Sequence, residues 1–152
     1  MNGVIQEAKY EDLRVILELQ KKAFERVAIK TNNPNIAPMT QTQKQIEEEF
    51  KKGLFLKYED NGKIVGSVRA YVTSEGACHI GRLITESDYQ NQGIGTALMK
   101  EIEKRLCDSQ YFEIFTGEDF PNVINLYKKI GYRVTHTESM DSVPMVFMRK
   151  DN

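Results

Sequence analysis

The sequence predicts a mixed α/β fold: a six- to seven-stranded mixed sheet with helices on both faces. Strand-like and helical segments alternate in the order βααβββαβαββ along the chain. The pair Asn61-Gly62 separates two strand-like runs, which is the strongest short signal for a β-hairpin. Hydrophobic residues make up 40% and charged residues 28% of the 152 residues, a composition typical of a folded domain and not of a disordered or membrane-spanning chain.

The first half of the chain contains three predicted strands and two predicted helices. They span residues 3–8 (strand), 11–28 (helix), 40–50 (helix), 54–58 (strand) and 63–72 (strand). Thr40 and Gln43 have the spacing of a capping box, so the second helix is expected to begin there, and Gly53 to end it. Residues 31–39 are expected to form the loop between the two helices.

The second half repeats the alternation of strands and helices. Strands are predicted near residues 77–84, 111–116, 132–136 and 143–149, and helices near 94–106 and 121–130. Gly131 is expected to end the last helix. The chain contains no internal repeat, low-complexity tract or Pro/Gly/Ser-rich linker, so residues 1–152 are expected to form one domain.

Charge and cysteine usage exclude several classes of function. A formal net charge of -1 argues against nucleic acid or an anionic membrane as the partner, because both require a basic field. The first residues lack the basic start and apolar stretch of a signal peptide, so a cytoplasmic location is expected. Cys78 and Cys107 have neither CxxC spacing nor nearby zinc-type histidines. They are therefore expected to be buried, reduced thiols, and no metal site is predicted.

A glycine-rich segment at residues 90–95, QNQGIG, lies between a predicted strand and a predicted helix. The first turn of a helix leaves backbone N–H groups unpaired, and the helix dipole adds positive charge there. Gly93 and Gly95 would let that backbone approach a phosphate. A tight turn with close helix packing is the alternative. The segment is not a Walker A loop, since Thr96 and Ala97 follow Gly95, and it lacks the third Gly or Ala and the early βαβ position of a dinucleotide fingerprint.

Two motifs resemble those of the GNAT superfamily of acyl-CoA N-acyltransferases. Residues 90–98, QNQGIGTAL, are similar to its Arg/Gln-x-x-Gly-x-Gly/Ala motif, and residues 126–132, LYKKIGY, to its Leu-Tyr-x-x-x-Gly-Phe/Tyr motif. Tyr89 before the first motif is also typical, and the motifs occur in the family's order. Two positions depart from the pattern: Ser87 stands where the family often has Pro, and Phe120 where it commonly has an Asn. The second departure leaves the family's contact to the pantetheine arm without its usual Asn, since Asn122 and Asn125 are out of that register.

The resemblance implies a GNAT fold and a direct transfer of acetyl from acetyl-CoA to a primary amine, with no metal. The expected acceptor is a small-molecule amine or a peptide, and homodimers are common in the family. A non-catalytic acyl-CoA-binding or sensing domain of the same fold is the alternative. The residues that the resemblance places at the cofactor are Leu83, Ile84, Gln90, Asn91, Gln92, Gly93, Ile94, Gly95 and Thr96.

The resemblance also implies catalytic roles. Tyr127 matches the tyrosine that protonates the leaving thiolate, and a main-chain N–H of Leu83 or Ile84 is expected to polarise the thioester carbonyl. His79 lies where some relatives carry a catalytic carboxylate, and an imidazole with a pKa near ~6.5 suits a general base. A water relay without a single base is the alternative to His79. The carboxylates of the next strand and its loop are weaker candidates, namely Glu113, Glu118 and Asp119.

Strand periodicity places acceptor-binding candidates near this centre. A period of two puts His79, Gly81 and Leu83 on one face of their strand, and a β-bulge there would turn Arg82 to the face of His79. Three side chains are candidates to contact the acceptor: Arg69, Tyr71 and Arg82. An arginine in the cleft could pair with an acceptor carboxylate, and a surface ion pair is the alternative. Residues 31–39 correspond to the acceptor lid of the family.

Overall fold

The computed structural model describes residues 3–152, which contain seven strands and five α-helices. The strands are β1 (Val4–Glu7), β2 (Leu54–Asp60), β3 (Lys63–Val72), β4 (Ala77–Thr85), β5 (Tyr111–Gly117), β6 (Arg133–Met140) and β7 (Val143–Asp151). The helices are α1 (Leu13–Lys30), α2 (Ala37–Thr40), α3 (Gln43–Lys52), α4 (Ile94–Arg105) and α5 (Pro121–Lys129). Short 3₁₀ turns at Tyr10–Asp12 and Ser87–Tyr89 precede α1 and the glycine-rich segment.

The strands of residues 3–152 form one sheet in the order β1-β2-β3-β4-β5-β7-β6. The β4–β5 pair is parallel, and every other neighbouring pair is antiparallel. Helices cover both faces, as adjacent residues of β2 show: Phe55 packs in a cluster with α1 and α3, whereas Leu56 packs in the larger cluster with α4 and α5. Successive side chains of a strand point to opposite faces. The predicted mixed α/β fold is therefore confirmed.

The β2–β3 hairpin has the turn that its sequence predicts. Asn61 and Gly62 both have positive φ, 51° and 81°, which a type I′ turn requires. Asp60 and Lys63 pair directly on either side of it. Asn and Gly are the residues that adopt this left-handed conformation most readily, so the local sequence is sufficient to form the turn.

The predicted start of α3 is wrong by two residues. Thr42, not Thr40, is the capping residue: its hydroxyl accepts a hydrogen bond from the Gln45 N–H (3.2 Å), and the Gln45 side chain accepts one from the Thr42 N–H (2.9 Å). Thr40 is unavailable because it ends the short helix α2, which lies within the segment expected to be a loop. Thr42 is extended, with φ -92° and ψ 164°, which is the conformation of an N-cap.

The two cysteines are both free, but only Cys78 is buried. Cys78 lies on the α4 side of β4, and burial raises the pKa of its thiol to about 11. Cys107 is exposed, contrary to the expectation. It lies after the end of α4 at Arg105 and so is not on the packed face of that helix. The two thiols should therefore differ strongly in reactivity, since the thiolate is the nucleophile.

Residues 3–152 contain neither a helix suited to span a membrane nor a cluster of metal-ligating side chains. None of the helices there is both long and apolar enough to cross a bilayer. The same residues contain no group of three or more His, Cys, Asp or Glu side chains placed to hold a metal ion.

Candidate active site

A cavity opens where β4 and β5 separate. The two strands pair between residues 77–79 and 111–113 and then diverge, so residues 80–85 and 114–117 face each other across a gap. The cavity has a volume of about 360 Å³, within the range of small-molecule sites. Helices α1 and α5 and the β6–β7 turn supply much of its wall, through mainly apolar side chains that include Phe24, Val27, Phe120, Val123, Met140 and Met145.

Unpaired backbone amides surround the start of α4, which follows directly after the end of β4 and its short 3₁₀ turn. The first hydrogen bond into the helix runs from the Ala97 N–H to the Gly93 carbonyl (3.0 Å). Among residues 3–152, no acceptor takes a hydrogen bond from the N–H groups of residues 91–96. Gly93 has φ 84° and Asn91 φ 62°, so the chain turns through the left-handed region twice before the helix. Such a nest of amides at the positive end of a helix dipole binds anions.

The side chains of the glycine-rich segment leave this nest open. Gln90 lines the cavity, and its amide nitrogen reaches the Thr85 carbonyl only at 3.5 Å. The Gln92 side chain is exposed and is equally far from the Asp88 carbonyl, 3.5 Å. Both contacts are at the limit of a hydrogen bond, so a ligand could replace them at little cost.

Gly95 lies where α4 approaches its neighbours. A Cβ atom at this position would be 3.7 Å from Leu83 Cδ2 and 3.8 Å from Leu126 Cδ2, which are ordinary contact distances. The fold therefore has room for an alanine here. Gly93 differs, because its φ of 84° would strain any residue with a side chain. A bulky substitution at Gly93 would consequently strain the backbone as well as change the binding of an anion, and the two effects could not be separated.

A β-bulge interrupts β4 beside the cavity. The β3–β4 register shifts between the pair Ser67–Ile84 and the pair Arg69–Gly81, so residues 82–83 together oppose a single residue of β3. The first bulged residue has φ 51°, which is uncommon for a residue other than glycine. A bulge of this kind changes the direction of the side chains that follow it.

The bulge switches the faces of β4, as the sequence analysis allowed. Strict alternation predicts that Leu83 shares a face with His79. Instead, Leu83 turns to the α4 side of the sheet and packs on the main core. Arg82 turns to the α1 side, where its guanidinium lies over the Phe24 ring at 6.0 Å. Arg82 is thereby placed in the cavity wall.

Tyr127 lies in the wall of the cavity on α5. It is 4% exposed and packs against Tyr132, with ring centroids 6.1 Å apart. Burial raises the pKa of the Tyr127 hydroxyl above that of an ordinary phenol. That hydroxyl makes no hydrogen bond within residues 3–152, and burial alone shifts its pKa. The main chains of Leu83 and Ile84 lie in the opposite wall, so the structure brings these three predicted residues to one cavity.

His79 lies outside the cavity wall, on the paired part of β4. Its Nδ1 is 3.3 Å from Glu113 Oε1, and its ring stacks on Tyr71 with centroids 5.1 Å apart. Glu118 and Asp119 are exposed beyond β5 and do not line the cavity either. None of these carboxylates is thus placed at the gap between β4 and β5.

The three acceptor candidates have three different environments. Arg69 is 6% exposed and is held by Glu49 Oε2 (3.1 Å), Gln41 Oε1 (3.2 Å) and the Gln20 side-chain oxygen. Tyr71 is 54% exposed and lies on His79, away from the cavity. Arg82 alone of the three lines the cavity.

Sequence reasoning missed several residues around this site. Gln20 is completely buried. It lies four residues after Ile16 and three after Leu17 on the apolar face of α1, and this spacing could have indicated its burial. Phe24, Met140 and Asp141 line the cavity although they are distant from the motifs in sequence. Asp141 belongs to the β6–β7 turn and carries no local signal of a binding role.

Comparisons with known proteins agree with this geometry. A PaiA N-acetyltransferase from Thermoplasma acidophilum, solved in complex with coenzyme A, superposes with a TM-score of 0.85 at 16% identity, covering 100% of both chains, and this likeness shows the fold. An uncharacterized N-acetyltransferase of Bacillus methanolicus is 30% identical over 95 residues, 59% of this chain and 78% of that protein. The protein YqkA of Bacillus subtilis is 26% identical over 124 residues, 82% of this chain but 35% of its own length.

Residues 18–152 match a protein-family model that is described as an acetyltransferase (GNAT) domain. That match covers most of the chain, including the glycine-rich segment, both walls of the cavity and Tyr127. The chain therefore belongs to the GNAT family of acetyltransferases.

Proposed function

We propose that this protein transfers the acetyl group of acetyl-CoA directly to a primary amine. One observation carries the proposal: the unpaired amides of residues 91–96 follow directly after Gln90, which lines a cavity whose wall also contains Tyr127. Acetyl-CoA presents a pyrophosphate and a thioester, which need an anion site and a site for a leaving thiolate. The PaiA relative, which has the same fold, was solved in complex with coenzyme A.

The amides of residues 91–96 would hold the pyrophosphate, with no metal required. The side chains of Gln90, Gln92 and Thr96 would add hydrogen bonds around it. The gap between β4 and β5 would take the thioester end, since Gln90, which precedes the nest, and Tyr127 both line the cavity there. There, a main-chain N–H of Leu83 or Ile84 would polarise the thioester carbonyl, because a donor aimed at developing negative charge lowers the barrier.

Tyr127 would stabilise the leaving thiolate by donating its hydroxyl hydrogen. Burial raises the pKa of Tyr127, so the phenol stays neutral at physiological pH and remains a donor. A free thiol has a pKa of about 8.5, and burial in the same apolar cavity raises the pKa of a thiol as well. Since burial disfavours a charged thiolate, a neutral phenol that donates its hydrogen to the sulfur lowers the cost of releasing CoA.

Water is our proposed carrier of the amine proton, in preference to His79. His79 lies outside the cavity wall and is already paired with Glu113, so it would need to leave that contact to reach an amine in the gap. The exposed side of the cavity gives water access to the same space. This choice can be tested with one variant of His79.

His79→Gln is expected to keep turnover within about threefold of the parent and to keep its pH–rate profile, since removing an essential general base costs about 100-fold or more. The glutamine retains a polar side chain beside Glu113 and opens no cavity. A Glu113→Gln variant serves as the control for a change in the His79–Glu113 contact alone. A 100-fold lower kcat at unchanged KM, together with loss of the alkaline rise in rate, would instead identify His79 as the base.

The proposed function is tested by CoA binding and by amine-dependent release of free thiol. Calorimetry should detect stoichiometric binding of CoA, and acetyl-CoA should release thiol faster when amines are added. The thiol assay is best run in a Cys107→Ser background, because Cys107 is exposed, whereas Cys78 is buried with a pKa of about 11 and stays silent. Binding without amine-dependent release would favour a sensing domain, and absence of CoA binding would overturn the proposal.

A further inference from the structure

We propose that the acceptor is a small amine that also carries a carboxylate and an apolar group, such as an apolar amino acid, and that Arg82 binds its carboxylate. This inference rests on the proposed function, since it concerns the acceptor half of the same cavity. It follows from one cation in an otherwise mainly apolar wall.

Arg82 is a largely buried cation that the protein leaves without a counter-ion. No carboxylate within residues 3–152 lies within 4.0 Å of its guanidinium, and its buried Nε atom has no hydrogen-bond partner there. Burial lowers the pKa of the Arg82 guanidinium, which the charge of Glu49 partly offsets from a distance. A buried charge is costly unless it is paired, so the site is suited to an anion supplied from outside the chain.

The neighbouring arginine differs from Arg82 at its terminal nitrogens, which have partners within the chain, although its Nε, like that of Arg82, has none. Arg69 is held by Glu49 and by the oxygens of Gln20 and Gln41. Glu49 is thereby committed to Arg69 at 3.1 Å. The carboxylate whose charge acts on Arg82 is therefore already bound to Arg69, and Arg82 has no ion pair of its own within residues 3–152.

The backbone at Arg82 is held in an unfavourable conformation that directs this side chain. Its φ of 51° costs an ordinary residue about 1 kcal/mol, and glycine would adopt it freely. The bulge turns the side chain from the α4 core toward α1 and the cavity. Glycine would fit this backbone conformation better, but only the arginine places a positive charge in the cavity wall.

The rest of the wall fits an apolar body of limited size. Ile36 and Val143 belong to one buried cluster that joins the segment after α1 to the β6–β7 turn. Asn33 also donates a hydrogen bond to the Asp141 carbonyl across this junction (3.3 Å). These contacts close one side of a cavity of about 360 Å³, which suits a small molecule better than a protein segment.

Matched pairs of acceptors test the carboxylate. L-Phenylalanine and phenethylamine share the amine and the apolar body and differ in the carboxylate, as do L-leucine and isoamylamine. The parent enzyme should show a kcat/KM about 10- to 100-fold higher for each amino acid than for its decarboxylated partner, after correction for the fraction of free amine. Equal values for both members of each pair would contradict the proposal.

Arg82→Gln should lower kcat/KM for the amino acids by about 10- to 100-fold and leave the decarboxylated amines unchanged. Arg14→Gln is the matched control, because it removes the same charge from the exposed surface of α1. Because Arg82 has no counter-ion among the described residues, Arg82→Gln should unfold at the same or a higher temperature than the parent. An equal loss for both members of a pair would contradict a carboxylate contact.

A binding measurement separates this inference from the proposed function. N-Acetyl-L-phenylalanine, the expected product, should bind more tightly than N-acetylphenethylamine by calorimetry, with and without CoA present, and Arg82→Gln should abolish the difference. Normal CoA binding without such a difference would overturn the acceptor proposal and leave acetyl transfer intact. Loss of CoA binding in the parent would instead overturn the proposed function, while the product pair still reports on Arg82.

Discussion

Gly95→Pro is expected to weaken CoA binding by about 10- to 100-fold while the protein stays folded. Proline removes the N–H of the second residue of α4, one of the donors that no group among residues 3–152 uses. A hydrogen bond to a charged group contributes about 1.5–3 kcal/mol, which sets the size of the effect. Proline is tolerated in the first turn of a helix, and this chain already has Pro38 at the second position of α2. Calorimetry with CoA measures the change.

Gly95→Ala is the matched control, because it keeps the N–H and adds a Cβ at ordinary contact distance from Leu83 and Leu126. It should bind CoA nearly as the parent does. Gln92→Glu is an independent variant that changes no backbone geometry. A negative charge on this exposed side chain should repel the pyrophosphate and should interact favourably with the positive end of the α4 dipole. CoA would then bind more weakly to a protein of unchanged or higher stability. Normal affinity in folded Gly95→Pro and Gln92→Glu proteins would remove the amide nest from the CoA site.

Tyr127→Phe is expected to lower turnover by about 10- to 1000-fold with little change in CoA affinity. The ring stays in place against Tyr132, and the deleted hydroxyl has no hydrogen-bond partner among residues 3–152, so the folded state should lose little stability. Steady-state kinetics with acetyl-CoA and an amine, beside a thermal unfolding curve, measure both quantities. A stable variant with normal turnover would exclude Tyr127 from catalysis.

Tyr132→Phe provides the opposite control. The Tyr132 hydroxyl donates a hydrogen bond to Glu103 (2.8 Å), which also binds Lys150 (2.7 Å), so its removal should reduce the free energy of unfolding by about 1–2 kcal/mol and leave turnover unchanged. Measured together, the two variants would separate a catalytic hydroxyl from a structural one on adjacent aromatic rings.

The acidities of these phenols also predict a pH dependence of stability. Burial raises the pKa of both Tyr127 and Tyr132 in the folded protein. Above about pH 10, the ordinary pKa of tyrosine, the unfolded chain releases protons that the folded chain retains. The stability contributed by the neutral phenols is therefore present below pH 10 and lost as the pH rises above it, and each Phe variant should show a smaller loss.

Much of the fold and part of the site could be predicted from local patterns. The Asn61-Gly62 turn and the helix ends at Gly93 and Gly131 follow from residue chemistry, since each needs the left-handed backbone that these residues adopt. The boundary near Thr40 was predicted wrongly because two caps compete within a few residues. Only packing of the preceding segment against α1 decides that α3 begins after Thr42.

The sequence by itself determined the order of strands and helices, the turn chemistry and the position of the glycine-rich nest, because these depend on interactions between residues close along the chain. The tertiary structure decided which of two arginines is free. Arg69 and Arg82 look alike in sequence, yet Gln20, Gln41 and Glu49 reach only the first, from α1 and α3 and the segment between them. Long-range packing gives the available acceptors to Arg69, and it leaves Arg82 as the cation for which we propose an anion from outside the chain.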